Sequence, residues 1–278
     1  MQVPLEDELG DVLDKALSRA GLSPDQAAAR SGVEVSRLRD ALDWRSELDC
    51  RELGALAALL GLNEVGLCAL ASGSYPLPEI AGLPFCLHPL RMPHGIGVAN
   101  AYIISECCGS GGILFDTGPG LEALLAGWPS RIQKLDAVFL THVEPEHAGG
   151  LCEVTRHFRA EHAFSPAPTG SPCHREMVDA QSWENGRFRV TALSTPGHAA
   201  AHNCYLVESA GARRGRSLLI SGDLLFAGSV GCPLHCAERL NASLGRLLSS
   251  LPEDTVIAPG HGPLTTLANE RRYNPFLR

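Results

Sequence analysis

The most informative segment of the sequence is Leu140-Thr-His-Val-Glu-Pro-Glu-His-Ala-Gly-Gly150. It follows the apolar run Leu135-Asp-Ala-Val-Phe-Leu140, which has the pattern of a buried strand. Four side chains that can bind a metal stand within six residues: His142, Glu144, Glu146 and His147. In a turn after a strand, alternating positions can point at two neighbouring points in space. The first two side chains therefore predict one metal position, and the last two predict a second.

Four shorter motifs also end strand-like runs. They are Phe115-Asp-Thr-Gly118, Thr195-Pro-Gly-His198, Ser221-Gly-Asp223 and Pro259-Gly-His-Gly262. An α/β fold places its chemistry on such loops, which a rigid sheet holds in position. Strand-like and helix-like runs alternate throughout this part of the chain, so the sequence predicts an α/β fold with a metal site at one edge.

In this order, the five motifs resemble the metallo-β-lactamase superfamily, whose pattern is His-x-His-x-Asp-His, two later histidines and a bridging aspartate. The resemblance covers residues 80–278 and implies an αββα sandwich. The roles that it implies are His142, Glu144 and His198 at a first metal, Glu146, His147 and His261 at a second, Asp223 as the bridge, and Asp116 as a structural carboxylate orienting the ligand loop. The C-terminal run Gly260–Leu277 resembles the shorter glyoxalase II-like (hydroxyacylglutathione hydrolase-like) branch. His202 follows His198 by four residues and is predicted to contact substrate.

Two residues depart from the family pattern. Glu144 stands where zinc hydrolases have His, and Glu146 stands where they have Asp. Three carboxylates with imidazoles make a harder ligand set, which favours iron or manganese over zinc. The cofactor prediction is therefore one or two divalent metals. Glu144 also resembles the di-iron, oxygen-binding branch of the superfamily, which includes the flavodiiron proteins and keeps Asp where this chain has Glu146.

Before residue 80 the pattern changes to apolar residues at helical spacing, which predict about five short helices. The predicted cap and turn residues are Ser23, Gly32, Asp49 and Asn63. Residues 22–42 resemble the Cro/repressor-like helix-turn-helix family, with residues 36–44 in the recognition-helix position. Prolines and glycines then indicate an extended connection. The predicted domains are 1–72, small, all-α and helix-turn-helix-like; 73–84, a linker; and 85–278, metallo-β-lactamase-like.

The acidic charge of the chain limits which partners it can bind. The net charge is -8, and residues 1–80 hold 7 Lys/Arg against 14 Asp/Glu. DNA binding through Arg37, Arg39 and Arg45 is therefore disfavoured, and an interaction, dimerisation or packing role is the alternative for this domain. Oligomerisation stays open. The sequence shows no signal peptide or membrane span, so we expect a cytoplasmic protein whose ten cysteines are reduced thiols or metal ligands.

The leading hypothesis is a metallo-hydrolase that uses a metal-bound hydroxide on a small thioester or acyl substrate. Glu146 and Asp223 would orient the attacking water and accept its proton. The chain ends 17 residues after His261, whereas longer glyoxalase II members carry a helical domain that holds glutathione, so the thiol part of the substrate is unassigned. The first alternative is a non-haem di-iron protein that binds or reduces oxygen or NO, as a redox or sensor protein. The second is a transcription regulator with a ligand-binding sandwich.

Overall fold

The computed structural model describes residues 3–95, 97–169, 174–210 and 215–277. The N-terminal part of this chain forms five short helices, as the apolar spacing predicts. They are α1 (Leu9–Ala20), α2 (Pro24–Ser31), α3 (Val35–Leu42), α4 (Cys50–Leu60) and α5 (Glu64–Ala71). We call them the helical unit. Its predicted caps are confirmed, because Ser23, Asp49 and Asn63 each accept a hydrogen bond from a backbone N–H in the first turn, and Gly32 ends α2 in the left-handed conformation.

Two six-stranded sheets make up the rest. The first contains β1 (Cys86–His94), β2 (Gly97–Ser105), β3 (Gly111–Phe115), β4 (Lys134–Phe139), β5 (His162–Pro166) and β6 (Arg175–Met177), paired in that order. The second has the order β14-β13-β10-β9-β8-β7, with the bounds β7 (Ser182–Glu184), β8 (Phe188–Ser194), β9 (Asn203–Ser209), β10 (Leu218–Gly222), β13 (Val256–Pro259) and β14 (Thr265–Thr266). A small hairpin joins β11 (Leu225–Phe226) to β12 (Ser229–Val230).

Alternation along the strands builds four layers. Phe115 of β3 and Ile220 of β10 belong to the apolar cluster between the sheets, whereas their neighbours Leu114 and Leu219 face outward. Helices cover both outer faces: α6 (Leu121–Leu125) and α8 (Leu151–Phe158) on the first sheet, and α9 (Ala237–Ser250) and α10 (Leu267–Tyr273) on the second. The short α7 (Pro145–Ala148) lies in the loop after β4. The predicted αββα sandwich is confirmed.

The helical unit has a core of its own and is docked on the sandwich. Glycine at position 66 in α5 permits close approach to α10, because a Cβ there would lie 1.7 Å from the carbonyl oxygen of Tyr273. Beyond α5, the Tyr75 hydroxyl donates to both carboxylate oxygens of the buried Glu270 at 3.0 Å. The Asn63 side chain also donates to a carbonyl of α10. The helical unit and the sandwich therefore share a buried polar interface.

One cysteine expectation is wrong. Cys86 and Cys107 form a disulfide rather than two reduced thiols. The pairing follows from the β1–β2 hairpin, whose register sets Cys86 opposite Ser105 and so brings Cys107, two residues on, beside it. The local sequence does not show this register. Among the residues described, no helix is both long and apolar enough to cross a membrane.

Candidate metal centre

The candidate metal residues lie where strands end. Asp116 follows β3, His142 follows β4, and His198 follows β8, in each case at the carboxyl end of the strand. Asp223 and His261 follow the parallel neighbours β10 and β13. Because these strand ends meet at one edge of the sandwich, residues more than a hundred positions apart converge on one place.

The first of two ligand groups contains His142, Glu144 and His198, as the resemblance implies. Glu144 lies between the two imidazoles, with one carboxylate oxygen 3.8 Å from His142 Nε2 and the other 3.3 Å from His198 Nε2. The ligand atoms of this group all lie within 4.8 Å of one another. Two imidazoles and a carboxylate in this arrangement can hold one divalent metal.

The second group contains His142, His147 and Asp223, so His142 belongs to both groups, and His198 and His261 also approach Asp223. The carboxylate oxygens of Asp223 lie 3.5 Å from His147 Nε2, 3.3 Å from His261 Nε2 and 3.7 Å from His198 Nε2. His147 and His261 approach each other to 3.3 Å through their Nε2 atoms. One carboxylate therefore touches imidazoles of both predicted metal positions, which is the geometry that a bridging ligand needs.

All four imidazoles are held by their Nδ1 atoms, which leaves Nε2 facing the centre. The Nδ1 partners are Thr141 Oγ1 for His142, Asp116 for His147, the Cys232 carbonyl for His198 and the Val98 carbonyl for His261. Partners of this kind fix the tautomer and the ring orientation of metal-binding histidines.

Buried atoms without partners show that a metal fits. His142 Nε2, His198 Nε2 and Asp223 Oδ1 are buried and form no hydrogen bond. Such atoms are costly unless something satisfies them. All three face one space, and imidazole nitrogens with carboxylate oxygens are ordinary ligands of divalent transition metals.

The protonation of the centre is strongly coupled. The imidazoles of His142 and His198, which lie beside its two oxygens, hold the pKa of Glu144 well below its usual range. Burial opposes charge on His261, but its hydrogen bond to Asp223 and the charge of that carboxylate outweigh burial and raise the pKa of His261 to about 9. Burial would likewise raise the pKa of Asp223, yet the nearby imidazoles, His147 first, lower it well below its usual range. Both shifts favour a protonated imidazole beside an ionised carboxylate.

Asp116 is next to the ligands and organises their loop. It accepts the Thr141 backbone N–H at 2.7 Å through Oδ1, and its Oδ2 lies 3.2 Å from His147 Nδ1. Its backbone φ is +59°, a left-handed conformation that aspartate tolerates better than most residues. This is the structural role that the sequence resemblance implies.

Two predicted site residues make contacts other than the predicted ones. The carboxylate of Glu146 is 3.8 Å from His94 Nε2, and Glu146 belongs to neither ligand group. His202 is almost fully buried, and both its ring nitrogens are used within the protein. Its Nδ1 pairs with Thr195 Oγ1 at 2.8 Å, and its Nε2 accepts the backbone N–H of Asp223 at 3.2 Å. His202 therefore supports the bridging residue rather than facing substrate.

Sequence reasoning missed one side of the site. A cavity of about 400 Å³, here called the metal cavity, opens from the ligands. Five of its lining residues come from the N-terminal segment: Glu6, Asp7, Asp11, Asp14 and Lys15. Glu6 approaches to 3.7 Å from His261 Nδ1. Local sequence gives no signal for this contact, because it depends on how the helical unit docks.

The arginines considered for DNA contact are all engaged in ion pairs. Arg37 forms a bidentate pair with Glu52, at 2.6 and 2.7 Å. The other two pairs are Arg39 with Asp25 and Arg45 with Asp43. Each guanidinium thus faces a carboxylate of the helical unit.

Known proteins share sequence and fold with this chain. A model described as the metallo-beta-lactamase superfamily matches residues 94–261. YqgX of Bacillus subtilis (strain 168), a probable metallo-hydrolase, is 30% identical over 215 residues, which are 67% of this chain and 96% of that protein. The hydroxyacylglutathione hydrolase of Halorhodospira halophila (strain DSM 244 / SL1) is 35% identical over 59% of this chain, and the match spans 62% of that enzyme's length. The crystal structure of TTHA1623 in a di-iron-bound form is 31% identical, with a TM-score of 0.53, and the match covers 67% of this chain and 99% of that one.

Proposed function

This chain belongs to the metallo-β-lactamase superfamily, and we propose that it is a metal-dependent hydrolase of a small thioester or related acyl substrate. One observation carries the proposal. Four imidazoles, each held by its Nδ1 partner, direct Nε2 at a common space shared with two carboxylates: His142, His147, His198, His261, Glu144 and Asp223. This set can hold one or two divalent metals, with His142, Glu144 and His198 at one position, His147 and His261 at the other, and Asp223 between them.

The residues around the proposed metal positions have different roles. A bound divalent metal supplies a Lewis acid that polarises the acyl carbonyl and acidifies water. Asp223 presents an unpartnered, buried oxygen to the same space and orients the attacking water by accepting its hydrogen bond. Glu146 lines the metal cavity outside both ligand groups, so we assign it the role of proton acceptor and not that of ligand. His202 fixes the backbone of Asp223.

The thioester class is supported by relatives. The similarity to a hydroxyacylglutathione hydrolase covers 59% of this chain. The match with YqgX, named as a probable metallo-hydrolase, spans nearly that whole protein and supports the broader class of hydrolysis. A carboxylate at position 144 leaves the site less electrophilic than one with a histidine there, which still allows water activation.

A di-iron redox or sensor protein is the second candidate, and Glu144 favours it. Two imidazoles with one carboxylate form a set used by non-haem iron, and the same carboxylate contacts both histidines of the first group. The similarity to TTHA1623 in its di-iron-bound form supports iron as the metal. For the same reasons we propose iron or manganese rather than zinc for a hydrolase.

Glu144→His separates the two functions. In a hydrolase, the histidine raises the charge of the site by one and should maintain or increase thioester hydrolysis, because a more electrophilic metal acidifies water better. In a di-iron redox protein, loss of the anionic ligand should weaken iron binding and abolish oxygen or NO chemistry. Both proteins would be assayed for hydrolysis of simple acyl thioesters and for oxygen consumption with a chemical reductant, after elemental analysis of the bound metal.

A matched control is Glu122→His, which makes the same exchange at an exposed position on α6. It should change neither assay. A Glu144→His variant that keeps its metal but loses hydrolysis would contradict the proposed hydrolase. Stoichiometric zinc with full activity, and no gain on loading with iron, would contradict the di-iron candidate.

A further inference from the structure

The metal cavity is closed on one side by the helical unit. Asp7, in the segment before α1, accepts hydrogen bonds from Lys15 of α1 and from the Ser229 hydroxyl of the sandwich. Lys15 also donates to the Val230 carbonyl at 2.9 Å. These contacts attach the segment directly to the β11–β12 hairpin. We call the five cavity residues from this segment and from α1 the N-terminal wall: Glu6, Asp7, Asp11, Asp14 and Lys15.

The side chains that line the metal cavity are mostly negatively charged. Its carboxylates are Glu6, Asp7, Asp11, Asp14, Glu144, Glu146 and Asp223. The lining has a single lysine, Lys15, and this ammonium is already paired with Asp7. Two divalent metals would therefore still leave the lining with two net negative charges, and one metal would leave more. A ligand that extends from the metals toward solvent along this side enters a negative potential.

The N-terminal wall lines the same cavity as metal-ligand candidates whose buried polar atoms have no partner. His198 and Asp223 line the same cavity, are 5% and 6% exposed, and have the unpartnered atoms Nε2 and Oδ1. The metal end of the cavity thus fixes where the reacting group lies. The same cavity is also lined by Asp14, which is exposed on α1, and by Glu146, so the remaining part of a substrate in the cavity lies near these carboxylates.

Resting on the function proposed above, we propose that the substrate is an acyl compound whose non-acyl part carries a positive charge. The acyl group lies at the metals, and the cationic group lies against the N-terminal wall. Opposite charges across such a surface favour the encounter and the correct register, whereas like charges weaken both. An anionic thiol carrier such as glutathione, which has two carboxylates, is disfavoured by the same surface.

Three small thiols of similar size test the wall without requiring catalysis. Thiocholine is cationic, 2-mercaptoethanol is neutral and 3-mercaptopropionate is anionic, and each can bind a metal through its sulfur. Their dissociation constants would be measured by calorimetry on the full chain loaded with its metal. We expect affinity to fall from cation to neutral to anion, with about a tenfold difference between the extremes at low salt. The difference should shrink at about 0.5 M salt, because screening weakens it.

The variant Asp14→Lys tests whether the charge of the N-terminal wall sets the order of affinities. It changes the local charge by two without altering a proposed ligand, and it should bring the affinities for thiocholine and 3-mercaptopropionate to within about twofold. Glu47→Lys is the matched control, because it makes the same change of charge at an exposed position of the helical unit outside the cavity lining. It should preserve the order of the three thiols. Asp14→Asn provides a milder second variant if the lysine prevents folding.

Hydrolysis is measured separately, with acetylthiocholine and S-acetylglutathione as substrates. Faster turnover of acetylthiocholine, as kcat/KM, supports both the proposed function and the charge preference. If neither ester is hydrolysed but the thiols keep the predicted order, the proposed function fails and the preference of the wall for cations stands. Equal binding of the three thiols, tighter binding of 3-mercaptopropionate, or an unchanged order in Asp14→Lys would overturn the inference.

Discussion

Replacing Asp116 by asparagine should weaken metal binding while leaving the fold intact. The carboxylate accepts from three donors through its two oxygens: the Thr141 backbone N–H at 2.7 Å from Oδ1, the Thr141 hydroxyl at 2.8 Å from Oδ2, and His147 Nδ1 at 3.2 Å from Oδ2. Asparagine has nearly the same shape and also tolerates the left-handed backbone, where φ is +59°. It has only one oxygen, however, so the donors to one of the two oxygens lose their acceptor whichever way the amide turns.

The cost in metal affinity depends on which donor loses its acceptor. If the amide oxygen stays on Thr141, its NH₂ group donates to His147 Nδ1, so the imidazole must carry its proton on Nε2, the atom that faces the centre. Loss of such a support to a metal ligand typically costs 10–100-fold in metal affinity. We expect about this loss at the position served by His147, which is equivalent to about 1.4–2.7 kcal/mol. The group of His142, Glu144 and His198 should lose less affinity, because Asp116 reaches it indirectly, through the Thr141 hydroxyl that contacts His142 Nδ1.

Competition with a chromophoric chelator would measure the affinity at each position, and circular dichroism would check the fold. Asp136→Asn is the control, because it removes a carboxylate that pairs with Arg187 near the opposite end of β4 from the metal loop. Its metal affinity should equal that of the unmodified chain. Unchanged affinity at both positions in a folded Asp116→Asn protein would refute the tautomer argument.

Three further predictions concern stability and packing. In metal-free protein the pKa of His261 is raised to about 9, so its stabilisation is complete below its ordinary pKa and is lost as the pH rises through 9. Urea unfolding at pH 6 and pH 9.5 should show a loss of up to about 3 kcal/mol, and a flat or rising profile would contradict this. Gly260→Ala should abolish binding at the second position in a chelator titration, because its Cβ would lie 2.1 Å from Asp223 Oδ1, whereas Gly245→Ala on α9 meets no atom within 4 Å and should leave binding unchanged. Tyr75→Phe removes the hydroxyl that donates to the buried glutamate of α10 and should cost about 1.5–3 kcal/mol in urea unfolding; no change in the midpoint would show that this bond does not secure the helical unit.

The fold and most of the residues of the candidate metal centre could be predicted from the sequence. Apolar strand runs, each ending in a motif with His or Asp, predict the sandwich, because strand ends in such folds meet at a common edge. Small cap residues likewise predict the helices, since a cap is a local interaction between a side chain and the next turn. Local chemistry at fixed spacing was sufficient for both.

The contacts between side chains distant in sequence could be read only from the folded protein. Glu146 turns toward His94, His202 supports Asp223, and Cys86 meets Cys107, because these outcomes depend on strand register and on groups far away in sequence. The acidic side of the metal cavity is the clearest case. Its residues precede and begin α1, more than a hundred positions before the ligands, and they reach the site only because the helical unit packs on α10 and on the β11–β12 hairpin. A sequence pattern records periodicity and spacing, but docking depends on the shape of two folded surfaces.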